Sequence, residues 1–201
     1  AVMGFFAAEF FGRPSSKLKV IGITGTNGKT TTAHLLASVL RKHGLATAVF
    51  GTLSGARTTP EATDLQRSLA NEFERGCKAV VMEVSSHALS LHRVAGTKFA
   101  ATIFTNLGQD HLDFHGDMES YYQAKKKLFN AQSYQAAFIN VDDAYGARLA
   151  GEIAMVPTTI SRRDSKAHWY YQEIKSSSKG YEVEVQGRDG ILISGQLNLI
   201  G

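Results

Sequence analysis

Apolar residues recur along this chain in two rhythms. Short continuous apolar runs at 19–24, 46–50, 79–84, 99–105 and 136–140 have the length and content of strands covered on both faces. Between them, 30–43, 61–75, 86–94, 118–131 and 142–152 carry apolar residues at helical spacing. In 30–43, Leu35, Leu36, Val39 and Leu40 fall on one face and Gly44 follows the last turn; Gly76 ends 61–75 in the same way. This alternation predicts an α/β fold, a mostly parallel sheet with helices on both faces. After about Val156 the rhythm changes. Strand character returns at 169–174, 181–186 and 191–194, separated by polar turns at 176–180 and 187–190. Tyr181, Val183 and Val185 alternate with Glu182, Glu184 and Gln186, which predicts a small C-terminal antiparallel sheet with one wet face. The apolar opening, 1–12, lacks a basic start and contains Glu9, so it reads as an amphipathic helix and not a signal peptide. Phe5, Phe6 and Phe10 are its expected packing residues. The chain does not begin with Met and is expected to be a piece of a longer protein.

The chain has 201 residues, enough for one large domain or two small ones. With 43% hydrophobic residues it can bury a core, which excludes a disordered tail. Lys and Arg number 22 against 18 Asp and Glu, and no basic run exceeds Lys125, Lys126 and Lys127. That is too sparse for a nucleic-acid surface and sufficient for an anionic small ligand. Cys77 stands alone, so no internal disulfide forms and a reducing, cytoplasmic setting is expected. No stretch approaches the ~18 apolar residues of a membrane span.

The sharpest chemical signal is Gly22-Ile23-Thr24-Gly25-Thr26-Asn27-Gly28-Lys29-Thr30-Thr31, between an expected strand and an expected helix. In that context it reads as a phosphate loop. Glycines let backbone amides face a polyphosphate, the helix N-terminus adds positive potential, Lys29 reaches the outer phosphates, and the Thr30 hydroxyl can bind Mg²⁺. Ile23 stands where the standard spacing has its first glycine. Met82-Glu83-Val84-Ser85-Ser86-His87 ends the third strand, on the edge where α/β sheets bind ligands. Glu83 there is either a magnesium ligand or a solvated carboxylate before a capping serine. Asp110, His111, Asp113 and His115 cluster after the fourth strand. No cysteine is near them, so a histidine assisting magnesium fits better than a zinc site. On a helical wheel of 118–129, Lys125 falls inside the stripe of Met118, Tyr121, Leu128 and Phe129, while Lys126 and Lys127 fall outside. It is either a lysine whose stem packs and whose head snorkels, or one directed into the site. Arg57-Thr58-Thr59-Pro60 suits an anionic or sugar substrate, or supplies an ordinary helix cap at Thr59; His92-Arg93 is either a contact or surface charge.

Together, Gly25 to Thr31, Arg57-Thr58-Thr59-Pro60, Glu83-Val84-Ser85-Ser86-His87, Thr105-Asn106-Leu107, Asp110-His111-Leu112-Asp113 and the Tyr121, Lys125, Phe129 helix resemble the ATP-dependent Mur ligases of peptidoglycan synthesis. Within them the resemblance is to the branch adding a diamino acid to UDP-MurNAc-L-Ala-D-Glu. The resemblance implies a three-domain enzyme, of which 18–201 is the central ATP domain and 1–17 a link from a first domain. It implies that Gly25, Thr26, Asn27, Gly28, Lys29, Thr30, Thr31 and Asn106 bind ATP. Thr30, Glu83 and His111 would hold Mg²⁺, and Thr58, Thr59, Ser85 and Arg93 would contact the UDP-MurNAc dipeptide. Lys125 matches a lysine that takes up CO₂ to become a carbamate and a further metal ligand. Lys29, Glu83, His111 and Lys125 are thus the catalytic set. The family pattern has Gln where Leu91 stands, and Gly195-Gln196-Leu197-Asn198 resembles its Gly-x-Phe-Asn segment, with Asn usual at Gly201. The implied reaction forms an acyl phosphate from ATP and a carboxylate, then an amide with the diamino acid. A monomer is expected, with the other substrates held by absent domains. The rivals are a sister ligase or folylpolyglutamate synthase-like domain, a phosphate-loop kinase or GTPase, and a non-catalytic nucleotide-binding module.

Overall fold

The computed structural model describes residues 1–53, 57–130, 134–178 and 180–197. Asn198, Gly201 and residue 131 lie outside the described residues; the expected helix 118–131 is α-helical only to Lys126, tightens to a 3-10 turn over Lys127–Phe129 and gives way to extended backbone at Asn130. Among the described residues nine strands form one sheet: β1 (Lys19–Thr24), β2 (Thr47–Phe50), β3 (Ala79–Glu83), β4 (Ala101–Phe104), β5 (Ala137–Asn140), β6 (Thr158–Ser161), β7 (Trp169–Ser177), β8 (Gly180–Gly187) and β9 (Leu192–Leu197). Their order is β2-β3-β1-β4-β5-β6-β7-β8-β9. All pairs from β2 to β7 are parallel; β7, β8 and β9 are antiparallel. The antiparallel group therefore extends the main sheet, joined through Ile160 opposite Trp169. The strand β6 escapes the hydrophobic pattern because Thr-Thr-Ile-Ser holds a single aliphatic residue.

Among the described residues seven α-helices cover this sheet: α1 (Val2–Phe10), α2 (Lys29–Lys42), α3 (Ala62–Glu74), α4 (Ser86–Ser90), α5 (Leu112–His115), α6 (Met118–Lys126) and α7 (Ala144–Glu152). Successive strand residues point to opposite faces, and two cores follow. On one face Ile21, Ile23, Val49, Val81 and Ile103 pack under α2. On the other, Val20, Val80, Met82 and Phe104 pack with Leu65 and Leu69 of α3, Leu89 of α4, Tyr121 and Tyr122 of α6 and Leu149 of α7. The buried stripe of α2 is Ala33 and Ala37, flanked by Leu36 and Leu40, whereas Leu35 and Val39 are exposed. Small alanines let the helix axis lie close to the sheet, which rotates the larger leucines to its flanks.

Two other expectations change in detail. Helix α4 stops at Ser90, four residues before its expected end, because His92 takes a left-handed φ of 55° that no helix continues. In α1 the buried positions are Gly4, Ala7 and Ala8, while Phe5, Phe6 and Phe10 are exposed. Gly4 lies so close to the Ala95 carbonyl that any side chain there would collide with it. A close backbone approach, and not aromatic packing, seats this helix.

Candidate functional site

Strand β1 lies between β3 and β4, and the chain leaves it first toward β2 and later crosses to β4. That reversal opens a crevice at the carboxyl ends of the strands, where open α/β sheets bind ligands. Four segments meet there: the turn after β1, the start of the β2–α3 connection, the end of β3, and the loop after β4.

The turn after β1 is the expected phosphate loop. Gly25 (φ 147°) and Gly28 (φ 82°) use backbone conformations closed to most side chains, and Gly28 caps α2. A side chain at Gly25 would run into Thr105 Oγ1. The loop is latched from the far side. Asn106 accepts from the Asn27 amide (2.9 Å) and donates to the Asn27 carbonyl (3.1 Å), and Thr105 Oγ1 donates to that carbonyl (2.7 Å). Thr26 N–H donates to the Asn106 carbonyl (2.9 Å). Asn106 thus shapes the loop from behind. Lys29 Nζ donates to the carbonyls of Gly25 (2.9 Å) and Thr26 (2.8 Å), folded back over the loop. Burial pulls its pKa below the usual lysine range, and the carboxylates of Glu83 and Asp110 oppose that. Thr26, Asn27, Gly28, Lys29, Thr30 and Thr31 line a cleft of about 380 Å³, together with Thr52, Thr58, Glu83, Ser85 and His111. The first amides of α2 have no partner within the helix, so its N-terminus presents donors and positive potential to this space.

Glu83 is 1% exposed at the last position of β3. Its carboxylate accepts from Thr30 Oγ1 (2.9 Å), the Thr52 amide (3.0 Å) and Thr52 Oγ1 (3.4 Å). Of its two sequence readings the solvated one is therefore excluded. A carboxylate and a threonine hydroxyl side by side at a phosphate cleft are the hard oxygen donors that Mg²⁺ takes. Among the described residues no group of three His, Cys, Asp or Glu side chains could hold a metal. The set thus fits an ion that keeps waters and phosphate oxygens, and it does not fit a closed zinc site. Pattern reading missed Gly51, whose missing side chain leaves room for Glu83 Oε1. Gly51→Ala is expected to push this carboxylate aside. It should cost about 1–3 kcal/mol of stability, read in urea melts, and weaken binding of Mg·ADP.

The second expected segment lies alongside. Thr59 Oγ1 donates to the Glu83 carbonyl (3.0 Å) and accepts from the Ser85 amide (3.1 Å), so Thr59 ties the β2–α3 connection to the end of β3. It is 1% exposed and is not the cap of α3. Ser85 caps α4 by accepting from the Ala88 amide (3.1 Å). Arg93 is turned inward, pairing with Glu61 (2.8 Å), a partner shared with Arg57. Its buried Nε has no hydrogen-bond partner among the described residues. Arg57, Thr58, Thr59, Ser85, Arg93, His87, Leu91 and His111 line a cleft of about 400 Å³ together with Thr52. Thr52, Thr58, Ser85 and His111 line both clefts, which therefore adjoin.

His111 takes a left-handed φ of 52° and points its half-exposed ring at this shared wall, 3.4 Å from Asp110. Its ring contacts His87 (5.0 Å between centroids), and His87 contacts His115 (5.5 Å). Burial lowers the pKa of both His87 and His115, so each is neutral near pH 7. Lys125 is 1% exposed and does not line either cleft. It lies beneath the phosphate loop, donating to the Gly25 carbonyl (2.9 Å), with Nζ 4.4 Å from the centre of the Tyr121 ring. Snorkelling is excluded. Burial lowers its pKa to about 7, aided by Lys29. Lys126, its neighbour in sequence, is turned away and engaged by Glu152 (2.8 Å).

A profile of the Mur ligase middle domain matches residues 23–201. The UDP-N-acetylmuramoyl-L-alanyl-D-glutamate--2,6-diaminopimelate ligase of Geobacter metallireducens is 49% identical over 162 residues, which cover 73% of this chain and 32% of that protein. The ligase of the same name from Clostridium perfringens is 41% identical over 214 residues, 98% of this chain and 44% of that protein. The chain thus spans less than half the length of these curated relatives. A solved structure of such a ligase superposes with a TM-score of 0.88 at 30% identity, over 99% of this chain and 43% of that one. The MurF ligase of Thermotoga maritima, in complex with ADP, shares the fold at a TM-score of 0.71 and 18% identity, over 94% of this chain and 44% of that one. With the profile running from β1 to the end and a relative 41% identical along almost its whole length, the chain belongs to the Mur ligase middle-domain family.

Proposed function

We propose that this chain is the ATP-handling part of a cytoplasmic, ADP-forming amide ligase that adds a diamino acid to UDP-MurNAc-L-Ala-D-Glu. The names of its relatives and the ADP held by the Thermotoga neighbour support the reading. In it, 18–201 form the central domain and 1–17 the link that precedes it. The observation that carries it is the shared wall of the two clefts. A polyphosphate at the loop and an anion beside Arg57 and Arg93 would meet at Thr52, Thr58, Ser85 and His111.

The chemistry requires that meeting. A carboxylate and an amine do not condense unaided at neutral pH, because oxide is a poor leaving group. Attack of the substrate carboxylate on the γ-phosphoryl of ATP gives an acyl phosphate and ADP. The amine then displaces phosphate as the amide forms. The work of this chain is positioning and charge compensation. Lys29 swings from the loop carbonyls to the outer phosphates, and the α2 amides hold the inner ones. Thr58, Thr59, Ser85 and Arg93 orient the carboxylate-bearing substrate. Thr30, Glu83 and His111 would hold magnesium, which supplies neutralisation of phosphate charge. Lys125 adds CO₂ through its neutral amine: the nitrogen lone pair bonds carbon as one C=O π bond opens onto oxygen, a proton leaves the nitrogen, and an anionic carbamate replaces the neutral amine under the loop. That would give a further magnesium ligand. The absence of Gln at Leu91 removes one substrate contact that the family resemblance implies.

The test is a hybrid in which residues 18–201 replace the matching segment of the Geobacter ligase. It is expected to form amide in strict dependence on ATP, whereas the 201-residue chain alone should form none. A folded hybrid that binds nucleotide and makes no acyl phosphate would refute the ligase reading. Amide formation by the chain alone would refute the domain assignment.

A further inference from the structure

In the sequence Tyr121 is one apolar position in the α6 stripe and part of the helix that resembles the family, with no role of its own. Its surroundings are those of a polar hub. The residue is completely buried, one turn before Lys125. Its hydroxyl lies 3.2 Å from Thr26 Oγ1 in the phosphate loop. Thr26 Oγ1 also lies 3.2 Å from the Gly108 carbonyl and accepts from the Gly108 amide at 3.0 Å. A hydroxyl has one proton. If Thr26 donates it to Gly108, the hydrogen bond from Tyr121 must run toward Thr26, with the phenol as donor. The same ring carries Lys125 Nζ over its face, and it contacts His115 (5.0 Å, planes tilted by 33°) and His111 (6.1 Å, planes at 83°). One side chain thus touches the loop, the buried lysine and the histidine wall.

We propose that Tyr121 is a positioning residue that sets the phosphate loop in its nucleotide-binding shape through Thr26, in register with Lys125. The proposal rests on the reading of Gly25 to Thr31 as a nucleotide site. The alternative is that Tyr121 is core, its hydroxyl a passenger. The two differ in what the hydroxyl alone does. Tyr121→Phe keeps the ring, the packing and the surface on which Lys125 rests, and removes one oxygen. A loop released from its latch samples other shapes and binds nucleotide less tightly, because only part of its population is competent.

The experiment is a double-mutant cycle on the 201-residue chain, with Mg·ADP affinity by calorimetry and urea stability without nucleotide as readouts. Tyr121→Phe is expected to weaken Mg·ADP binding about three- to tenfold, the effect of one buried hydrogen bond. Thr26→Val, which also breaks the Gly108 contacts, should cost more. Added to Thr26→Val, Tyr121→Phe should cost nothing further, because its partner is already gone. Unchanged affinity in Tyr121→Phe, or full additivity in the double variant, overturns the assignment. A fall in urea stability with unchanged affinity is the result of a purely structural hydroxyl and overturns it as well. The site reading is checked separately. If Lys29→Ala loses Mg·ADP and Tyr121→Phe does not, only the Tyr121 assignment falls. If the wild-type chain takes up no Mg·ADP, the nucleotide site and this proposal fall together.

Discussion

Lys29→Ala is expected to abolish most of the stabilisation that Mg·ADP gives this chain, while leaving it folded. A ligand that binds only the folded state adds about 2.7 kcal/mol at a hundredfold excess over Kd. For a chain of this size that raises the melting temperature by about 5–10 °C. In the absence of nucleotide, Lys29 Nζ is held by the Gly25 and Thr26 carbonyls, and burial works against its charge. Those hydrogen bonds and that burial largely offset each other, so removing the side chain costs the fold little. In the proposed bound state the ammonium would instead face outer phosphates in a partly dry cleft. Losing a charge-assisted contact of that kind should reduce the ligand-induced shift to about 1 °C at the same nucleotide concentration. Differential scanning fluorimetry with Mg·ATP, Mg·ADP and Mg·AMP checks it. An undiminished shift in the variant would move the nucleotide away from Gly25 to Thr31.

Much of the α/β frame was legible because parallel strands buried on both faces leave continuous apolar runs. All five such runs are strands, and β1 has its expected bounds. Where the pattern failed, a local geometric fact overrode it. Ala33 and Ala37 bury α2 because small residues let backbones approach, and hydrophobicity alone points instead to the leucines. In the site, the glycine-rich turn before α2 was legible because its glycines and Lys29 sit next to one another in sequence. Glu83 was legible only as a candidate. What excludes its solvated reading is a set of donors, Thr30 and Thr52, that lie 53 and 31 residues away. The surroundings of Lys125 are hidden from the sequence for the same reason. The chain places Lys126 and Lys127 beside it, whereas the fold turns Lys126 toward Glu152 and brings Lys29 close. A side chain's neighbours in sequence are a poor guide to its electrostatics once helical geometry fans them apart.

Lys125→Met is expected to make the chain more stable and the ligase far slower. As an unmodified lysine, Lys125 titrates at about 7 in the fold against an ordinary 10.5. Between those values the unfolded chain holds a proton that the folded chain has lost, so stability from this group rises with pH across that window. Below about pH 7 both states are protonated and the full cost of a buried cation is present. A methionine of similar length fills the same space with no charge. In buffer free of CO₂ and nucleotide, the variant should be more stable by a few kcal/mol at pH 6, with the difference gone above pH 10.5. Urea melts at several pH values check the sign. The functional cost runs the other way. In the Geobacter hybrid, Lys125→Met should slow acyl phosphate formation about 10²–10³-fold, as expected for losing a placed charge at a phosphoryl-transfer site. Substrate binding should weaken far less. Short-chain carboxylates should restore part of the rate by filling the place of the proposed carbamate. Labelled CO₂ should give a carbamate signal in the wild-type hybrid and none in the variant. A stabilised variant with undiminished rate would leave Lys125 as a buried cation held by Gly25 and Tyr121 alone.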